Sequence, residues 1–244
     1  MQVDAIAVHL RPRTMSEAVD LGTRLVQANA RSVWATFAPV YAVLAFVAVA
    51  TEGIASWLPP LVIFCAKPWL DRTLLFVLSR AVFGVPTRLA DVWAAQRQVW
   101  WEKLPSTLTL RRLSPWRSFT QPVVQLEGLR GAASAARCRQ LRRGQRGAAL
   151  AMHGAFAQLE ACVTVGLTFL VIAFVPMDEQ GATLRALLFG DGVAAGVVSS
   201  LIYAGVVLLV EPFYVGAGFA MYLNRRVELE AWDVEQEFRL AFAG

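Results

Sequence analysis

The side chains that could do chemistry in this chain are few, and the charged ones among them stand in apolar surroundings. His9 and His153 are its two histidines, and neither stands at a metal-ligand spacing. No G-x-S-x-G turn, Walker loop or H-E-x-x-H helix occurs. Gly216-Ala217-Gly218 reads as close packing rather than as a phosphate cradle. Cys65, Cys138 and Cys162 are scattered without a C-x-x-C spacing, which suggests a reducing compartment and no disulfide framework. The expectation is a protein with no metal, no cofactor and no catalytic constellation, and so not an enzyme.

Ionisable residues at membrane depth are the better candidates, because a charge there is costly enough to need a partner or a function. Glu160 and Glu211 border apolar stretches, and Pro212 frees a backbone carbonyl in the turn before it. Together they form a candidate polar break that binds an ion or a partner's arginine. The plainer alternative is two interfacial carboxylates, hydrated or paired with a nearby Arg. Asp71, Arg72 and Arg80 form a second polar group inside apolar sequence, with Arg80 read as a structural ion-pair member.

These residues must be held by membrane helices. At 57% hydrophobic and 17% charged residues, with a mean hydropathy of +0.49, the chain is more apolar than a soluble domain, which runs at about 45–50% and about 25%. Val33 to Thr51 and Gly192 to Val210 are each 19 residues without a charge, long enough to cross the hydrocarbon. Phe156 to Pro176 is a third span. Gly53 to Ala66 is charge-free for 14 residues and interrupted by Pro59-Pro60, so residues 54–70 are read as a fourth crossing, either extended by snorkelling of Lys67 and Trp69 or tilted or broken. Lys67 to Arg72 reads as a charged hinge before an interfacial piece, 73–85. Gly192, Gly196 and Ser200 recur at four-residue spacing, a small-residue face suited to a neighbouring helix. The fold class is therefore all-α, a polytopic helical membrane protein with about four transmembrane helices plus interfacial amphipathic helices.

Charge sets the expected orientation. Residues 86–155 hold twelve of the 23 Lys and Arg against Asp91, Glu102 and Glu127, whereas 177–191 holds Arg185 against Asp178, Glu179 and Asp191. The positive-inside rule puts the first region and both termini in the cytoplasm of a bacterial-type inner membrane. No cleavable leader is expected, since the first apolar run begins at Val33. Five segments follow. Residues 1–32 carry a capping box at Thr14 and Glu17 and a helix lying on the membrane or packing on the fold. Residues 33–85 are the first transmembrane pair with its interfacial piece, and 86–155 the basic helical region, where Trp93 and Trp100 are placed at headgroup level. Residues 156–224 form the second pair, and 225–244 an acidic amphipathic helix. Arg130, Arg137, Arg139, Arg142, Arg143 and Arg146 form a candidate surface for anionic lipid headgroups or a partner. Nucleic acid is disfavoured, because no aromatics interleave that cluster. The acidic tail is expected to dock on the chain's own arginine-rich region or on a protein partner.

Several phrases occur together along most of the chain. They are Leu10-Arg11-Pro12-Arg13 with Glu17-Ala18-Val19-Asp20-Leu21-Gly22, Lys67-Pro68 with Asp71-Arg72, and Leu78-Ser79-Arg80 with Phe83-Gly84. Ser114-Pro115, Arg117-Ser118-Phe119, Pro122-Val123 and Leu126-Glu127-Gly128 follow. Last come Glu211-Pro212-Phe213-Tyr214-Val215, Gly218-Phe219, Tyr222-Leu223-Asn224-Arg225-Arg226 and Trp232-Asp233. The set resembles an uncharacterised family of proteobacterial integral membrane proteins. They are similar to those encoded beside MoxR-type AAA+ ATPases, von Willebrand factor A-like proteins and stage II sporulation M-like membrane proteins. The resemblance implies an inner-membrane subunit working with such partners in envelope maintenance or stress tolerance, and no established reaction.

The expected function is a non-enzymatic scaffold or assembly subunit. Its small-residue face would pack on a partner, and its basic region and acidic tail would form a cytoplasmic platform. The alternative is a component of an oligomeric pore or transporter, with Glu160 and Glu211 near the pathway and a homo-oligomer as its natural form. A lipid-acting enzyme ranks last. Anionic lipid, other membrane proteins and a cytoplasmic ATPase are the expected partners.

Overall fold

The computed structural model describes residues 13–102, 114–189 and 192–230, and these form helices without a strand. In chain order they are α1 (Met15–Ala28), α2 (Ala30–Val49), α3 (Leu58–Ala81), α4 (Leu89–Ala94), a π-helical turn (Arg97–Trp101), α5 (Arg117–Gln125), α6 (Gly131–Arg142), α7 (Arg146–Ala173), α8 (Gln180–Phe189) and α9 (Val193–Glu230). Three of them, α2, α7 and α9, are long and apolar enough to cross a membrane. The protein is an all-α helical membrane protein.

The fold is organised by α9. Its 38 residues span about 57 Å at about 1.5 Å per residue, well beyond a hydrocarbon core of about 30 Å. Its two halves differ accordingly. Residues such as Leu201 and Leu209 in the first half are exposed and apolar, as lipid-facing positions are. From Val210 to Tyr222 nearly every side chain is buried, because α1, α3, α5 and α7 surround that half. A helix covered by protein all round is apolar all round. For that reason Phe213 to Asn224 looks in sequence like a span too short to cross. It is buried between α1, α3, α5 and α7, and Pro212 does not end the helix. Proline removes one backbone hydrogen bond, and close packing on every side holds the chain helical through it.

The same logic corrects α3. The structure runs one continuous helix of 24 residues through Lys67–Arg72, with no hinge there and no separate interfacial piece from 73. Pro59-Pro60 opens this helix rather than breaking a span, since proline is tolerated in the first turn where N–H groups lack intrahelical partners. Lys67, Asp71 and Arg72 are buried inside it.

Thr14 and Glu17 form the capping box of α1: the Thr14 Oγ1 accepts from the Glu17 N–H at 3.3 Å, and the Thr14 N–H donates to Glu17 Oε2 at 3.0 Å. Of its two expected placements α1 takes the packed one. Ala18, Gly22 and Val26 form the buried face, and Gly22 lies so close to α9 that a Cβ there would meet the Gly216 carbonyl oxygen at 2.3 Å. Gly218 makes the same kind of approach to Ser118 of α5. Asn224 fastens the start of the helix, accepting from the Arg13 N–H at 2.9 Å and donating to the Arg13 carbonyl at 2.8 Å.

Gly196 and Ser200, two of the three small residues at that spacing, are covered from within the chain, while Gly192 precedes α9 with open space beside it. A Cβ on Gly196 would meet Glu52 Oε1 at 1.8 Å, and the Ser200 hydroxyl donates to Glu52 Oε2 at 3.3 Å. Neither of those two waits for a partner helix. Lower down, the Tyr41 hydroxyl donates to the Ala204 carbonyl at 2.9 Å, tying α2 to α9. Trp100 is also internal, with its indole N–H on Thr73 Oγ1 at 3.0 Å, and Trp93 is the exposed member of the pair.

Candidate functional site

Four helices bring five charged side chains into one buried row. Lys67 and Asp71 lie one turn apart on α3 and so share a face. Glu160 comes from α7, Glu211 from α9 and Arg117 from α5. Lys67 Nζ is 2.5 Å from Glu160 Oε2 and 2.8 Å from Glu211 Oε2. Arg117 Nη2 is 2.7 Å from Glu211 Oε1, and its Nε is 2.7 Å from Asp71 Oδ2. The order is Glu160, Lys67, Glu211, Arg117, Asp71, with alternating sign and each cation shared by two carboxylates.

Glu160 is the more exposed end of the row and Asp71 the buried end, with Arg117 at 4% between Glu211 and Asp71. The Glu160 side chain is 19% exposed, Lys67 7%, Glu211 2% and Asp71 0%. Burial works against the Arg117 charge, but Asp71 and Glu211 outweigh it and hold the guanidinium above its ordinary range. The same guanidinium lies over the Tyr214 ring, 5.1 Å from its centroid, and the Tyr214 hydroxyl meets His153 Nδ1 at 3.1 Å.

Helix α5 holds Arg117 in place through a matched pair of glutamines. Gln121 Nε2 donates to the Pro68 carbonyl at 3.1 Å and Gln125 Nε2 to the Arg72 carbonyl at 2.7 Å, one turn apart on both helices. Arg72 points elsewhere, its guanidinium capping the π-helical turn through the Gln98 carbonyl at 2.5 Å and the Glu102 carbonyl. It is not a member of the row. Nor is Arg80, which stands over Phe76 at 5.6 Å and 4.0 Å from Asp91, with more than a third of both charged side chains exposed.

Four members of the row, all but Asp71, line a cavity of about 510 Å³ between α3, α7 and α9. Phe64, Phe156, Val165 and Val210 supply apolar wall, and Tyr203 and Tyr214 aromatic wall. Helix α7 has buried residues only near its ends, Ala149, Met152 and Ile172, and between them it meets the bundle through Phe156 on Tyr214 and Glu160 on Lys67.

The six arginines of the basic region separate into two groups. Arg137 pairs with Glu127 at 3.0 Å and with Glu230, Arg130 pairs with Glu102, and Arg142 lies over Trp116 at 5.0 Å. Burial disfavours the Arg137 charge, and hydrogen bonds to Glu127 and Glu230 outweigh it and raise its pKa. Arg139, Arg143 and Arg146 are exposed. Arg225 donates to the Arg143 carbonyl at 3.0 Å, and Arg226 Nη2 is 2.5 Å from Glu230. The first residues of the acidic segment thus continue α9 and lie on the arginine-rich region; its remainder, from 231, lies outside the described residues.

Sequence analysis singled out Glu160, Glu211 and Asp71, and the structure brings these three together. It missed Lys67, taken as a snorkelling extension, and Arg117, taken as one of many positive-inside charges. Lys67 and Asp71 at i and i+4 within an apolar helix were the available signal. No three His, Cys, Asp or Glu side chains gather in a metal-holding arrangement among the described residues. Compared with protein-family models, with curated proteins and with solved structures, the chain matches none.

Proposed function

We propose that this protein is a non-enzymatic scaffold or assembly subunit of the bacterial inner membrane, with both termini in the cytoplasm. The observation that carries the proposal is the buried row. It joins α5 of the basic region to α3, α7 and α9, so the platform and the membrane helices form one fixed body. Each cation is shared by two carboxylates, and Gly192 to Val210 of α9 carries no charge, which suits a rigid support better than a polar path.

The platform offers Arg139, Arg143 and Arg146 to anionic headgroups or to a partner. The resemblance to proteins encoded beside MoxR-type ATPases makes a cytoplasmic ATPase the first partner to seek. Affinity purification of the tagged protein in mild detergent, with mass spectrometry, tests this. Stoichiometric recovery of such an ATPase or its neighbours is the expected result.

A homo-oligomer without partners would move the weight to the second reading, a pore component. The cavity favours that reading, because it brings Glu160 within reach of a solute. Flux assays on Glu160→Gln and Glu211→Gln would then decide it.

A further inference from the structure

We infer that the cavity between α3, α7 and α9 binds a neutral single-chain lipid. The class of ligand is one hydrocarbon chain ending in an uncharged hydroxyl or carbonyl head.

Charge selects a neutral head. The charged residues lining the cavity balance, Lys67 and Arg117 against Glu160 and Glu211, and each is already paired with an opposite neighbour. An ion of either sign would lose its water there and meet no unpaired charge, which a low-dielectric site penalises. An uncharged oxygen loses far less and still finds a donor. An ammonium has three N–H groups, and the two carboxylates occupy two of those on Lys67, leaving the third for an acceptor.

The walls select the body. His153 meets Tyr214, and Glu160 meets Glu211 through Lys67, so α7 and α9 run antiparallel along the cavity. Its polar lining therefore gathers at one end, and Ala161, Val165 and Tyr203 lie toward the other, with Phe64 one turn before Lys67 on α3. Phe64 and Val165 are exposed and stand in charge-free runs, so the apolar end opens on hydrocarbon. Such a cavity is itself amphipathic, as its ligand must be. The lining runs from His153 to Val165, about 18 Å at about 1.5 Å per residue. A volume of about 510 Å³ along that length gives a mean cross-section of about 30 Å², room for one chain and too narrow for two side by side.

Photocrosslinking of the full-length protein in phosphatidylcholine nanodiscs tests the inference. The probe is a monoacylglycerol with a diazirine in its chain. Unlabelled monoolein, oleyl sulfate and oleyltrimethylammonium compete, as neutral, anionic and cationic heads on one chain. Saturable crosslinks to the peptides holding Phe64 and Val165 are expected, with monoolein competing at least about ten-fold better than either ion. Glu160→Gln leaves Lys67 and Arg117 against Glu211, so oleyl sulfate should then gain at least about ten-fold and the cation should not. Ala161→Trp fills the apolar end while keeping every charge, and should abolish saturable crosslinking even where Glu160→Gln fails to fold. Equal competition by the three heads, crosslinks unchanged in Ala161→Trp, or no gain for oleyl sulfate in a folded Glu160→Gln would each overturn the inference. So would the same saturable crosslinks from a phosphatidylcholine bearing the diazirine chain, which would mean surrounding bilayer lipid only. Partner recovery and lipid crosslinking are read separately, so either proposal can fail without the other.

Discussion

Replacing Arg117 with methionine removes the one cation among the described residues that pairs with both Asp71 and Glu211. Methionine keeps most of the side chain's apolar length, so the change isolates charge from packing. Glu211 keeps Lys67 at 2.8 Å, but Asp71, fully buried, loses the cation 2.7 Å from it. Breaking a buried pair on one side costs about 3–5 kcal/mol, because the remaining charge stays desolvated and uncompensated. At about 2–4 °C per kcal/mol for a chain of this size, the melting temperature should fall by ~6–20 °C. Intrinsic fluorescence can follow it, since the protein carries eight tryptophans. Adding Asp71→Asn removes the stranded charge and should recover part of the loss, with a coupling energy of about 1–3 kcal/mol. Arg80→Ala is the internal control: its Asp91 partner is 4.0 Å away and both are well exposed, so at most about 1 kcal/mol is at stake. A loss below about 1 kcal/mol for Arg117→Met, or no coupling with Asp71→Asn, would refute the buried row as a structural lock.

Gly22→Ala should destabilise by about 1–3 kcal/mol, since its Cβ would sit 2.3 Å from a backbone oxygen that cannot rotate away. Gly166→Ala on α7, where a Cβ meets nothing within 4 Å, should be neutral or gain about 0.5–1 kcal/mol; paired melts in detergent give both values. Tyr41→Phe deletes the hydroxyl on the Ala204 carbonyl and should cost about 0.5–1.5 kcal/mol by the same assay, with no change expected if that bond is absent in the membrane. Arg137→Ala cuts the link from α6 to Glu127 and Glu230 and should speed amide hydrogen exchange at the end of α9 while leaving Val193 to Val210 unchanged. Uniform acceleration along α9 would mean that the platform does not open as a unit.

The parts of the fold that were legible in sequence are those fixed by local chemistry. The Thr14–Glu17 box, the charge-free runs of α2 and α9, and the apolar run of α7 need no tertiary information. What misled was charge and proline inside apolar sequence. Pro59-Pro60, Lys67-Pro68 and Glu211-Pro212 all read as breaks, because from one strand of sequence an unpaired charge and a missing N–H both argue for water. Their partners lie 93 and 94 residues away, in Glu160 and Arg117. Only the assembled helices show that Lys67 is neutralised rather than snorkelling. Gly196 and Ser200 misled in the opposite direction: a small-residue face implies a close neighbour, and the spacing cannot say that the neighbour is Glu52 of the same chain.

The row also explains why the basic region cannot be a solvated appendage to the membrane helices. If Arg117 belonged to a detachable domain, each detachment would leave Asp71 and Glu211 facing a low-dielectric gap without their cation, at a cost of several kcal/mol. Gln121 and Gln125 raise that cost, because their amides leave the Pro68 and Arg72 carbonyls at the same moment. Helix α9 adds a mechanical reason, since a single uninterrupted helix carries the membrane half and the platform core. Force or orientation received at Arg139, Arg143 or Arg146 must therefore reach the spanning helices without a joint to absorb it.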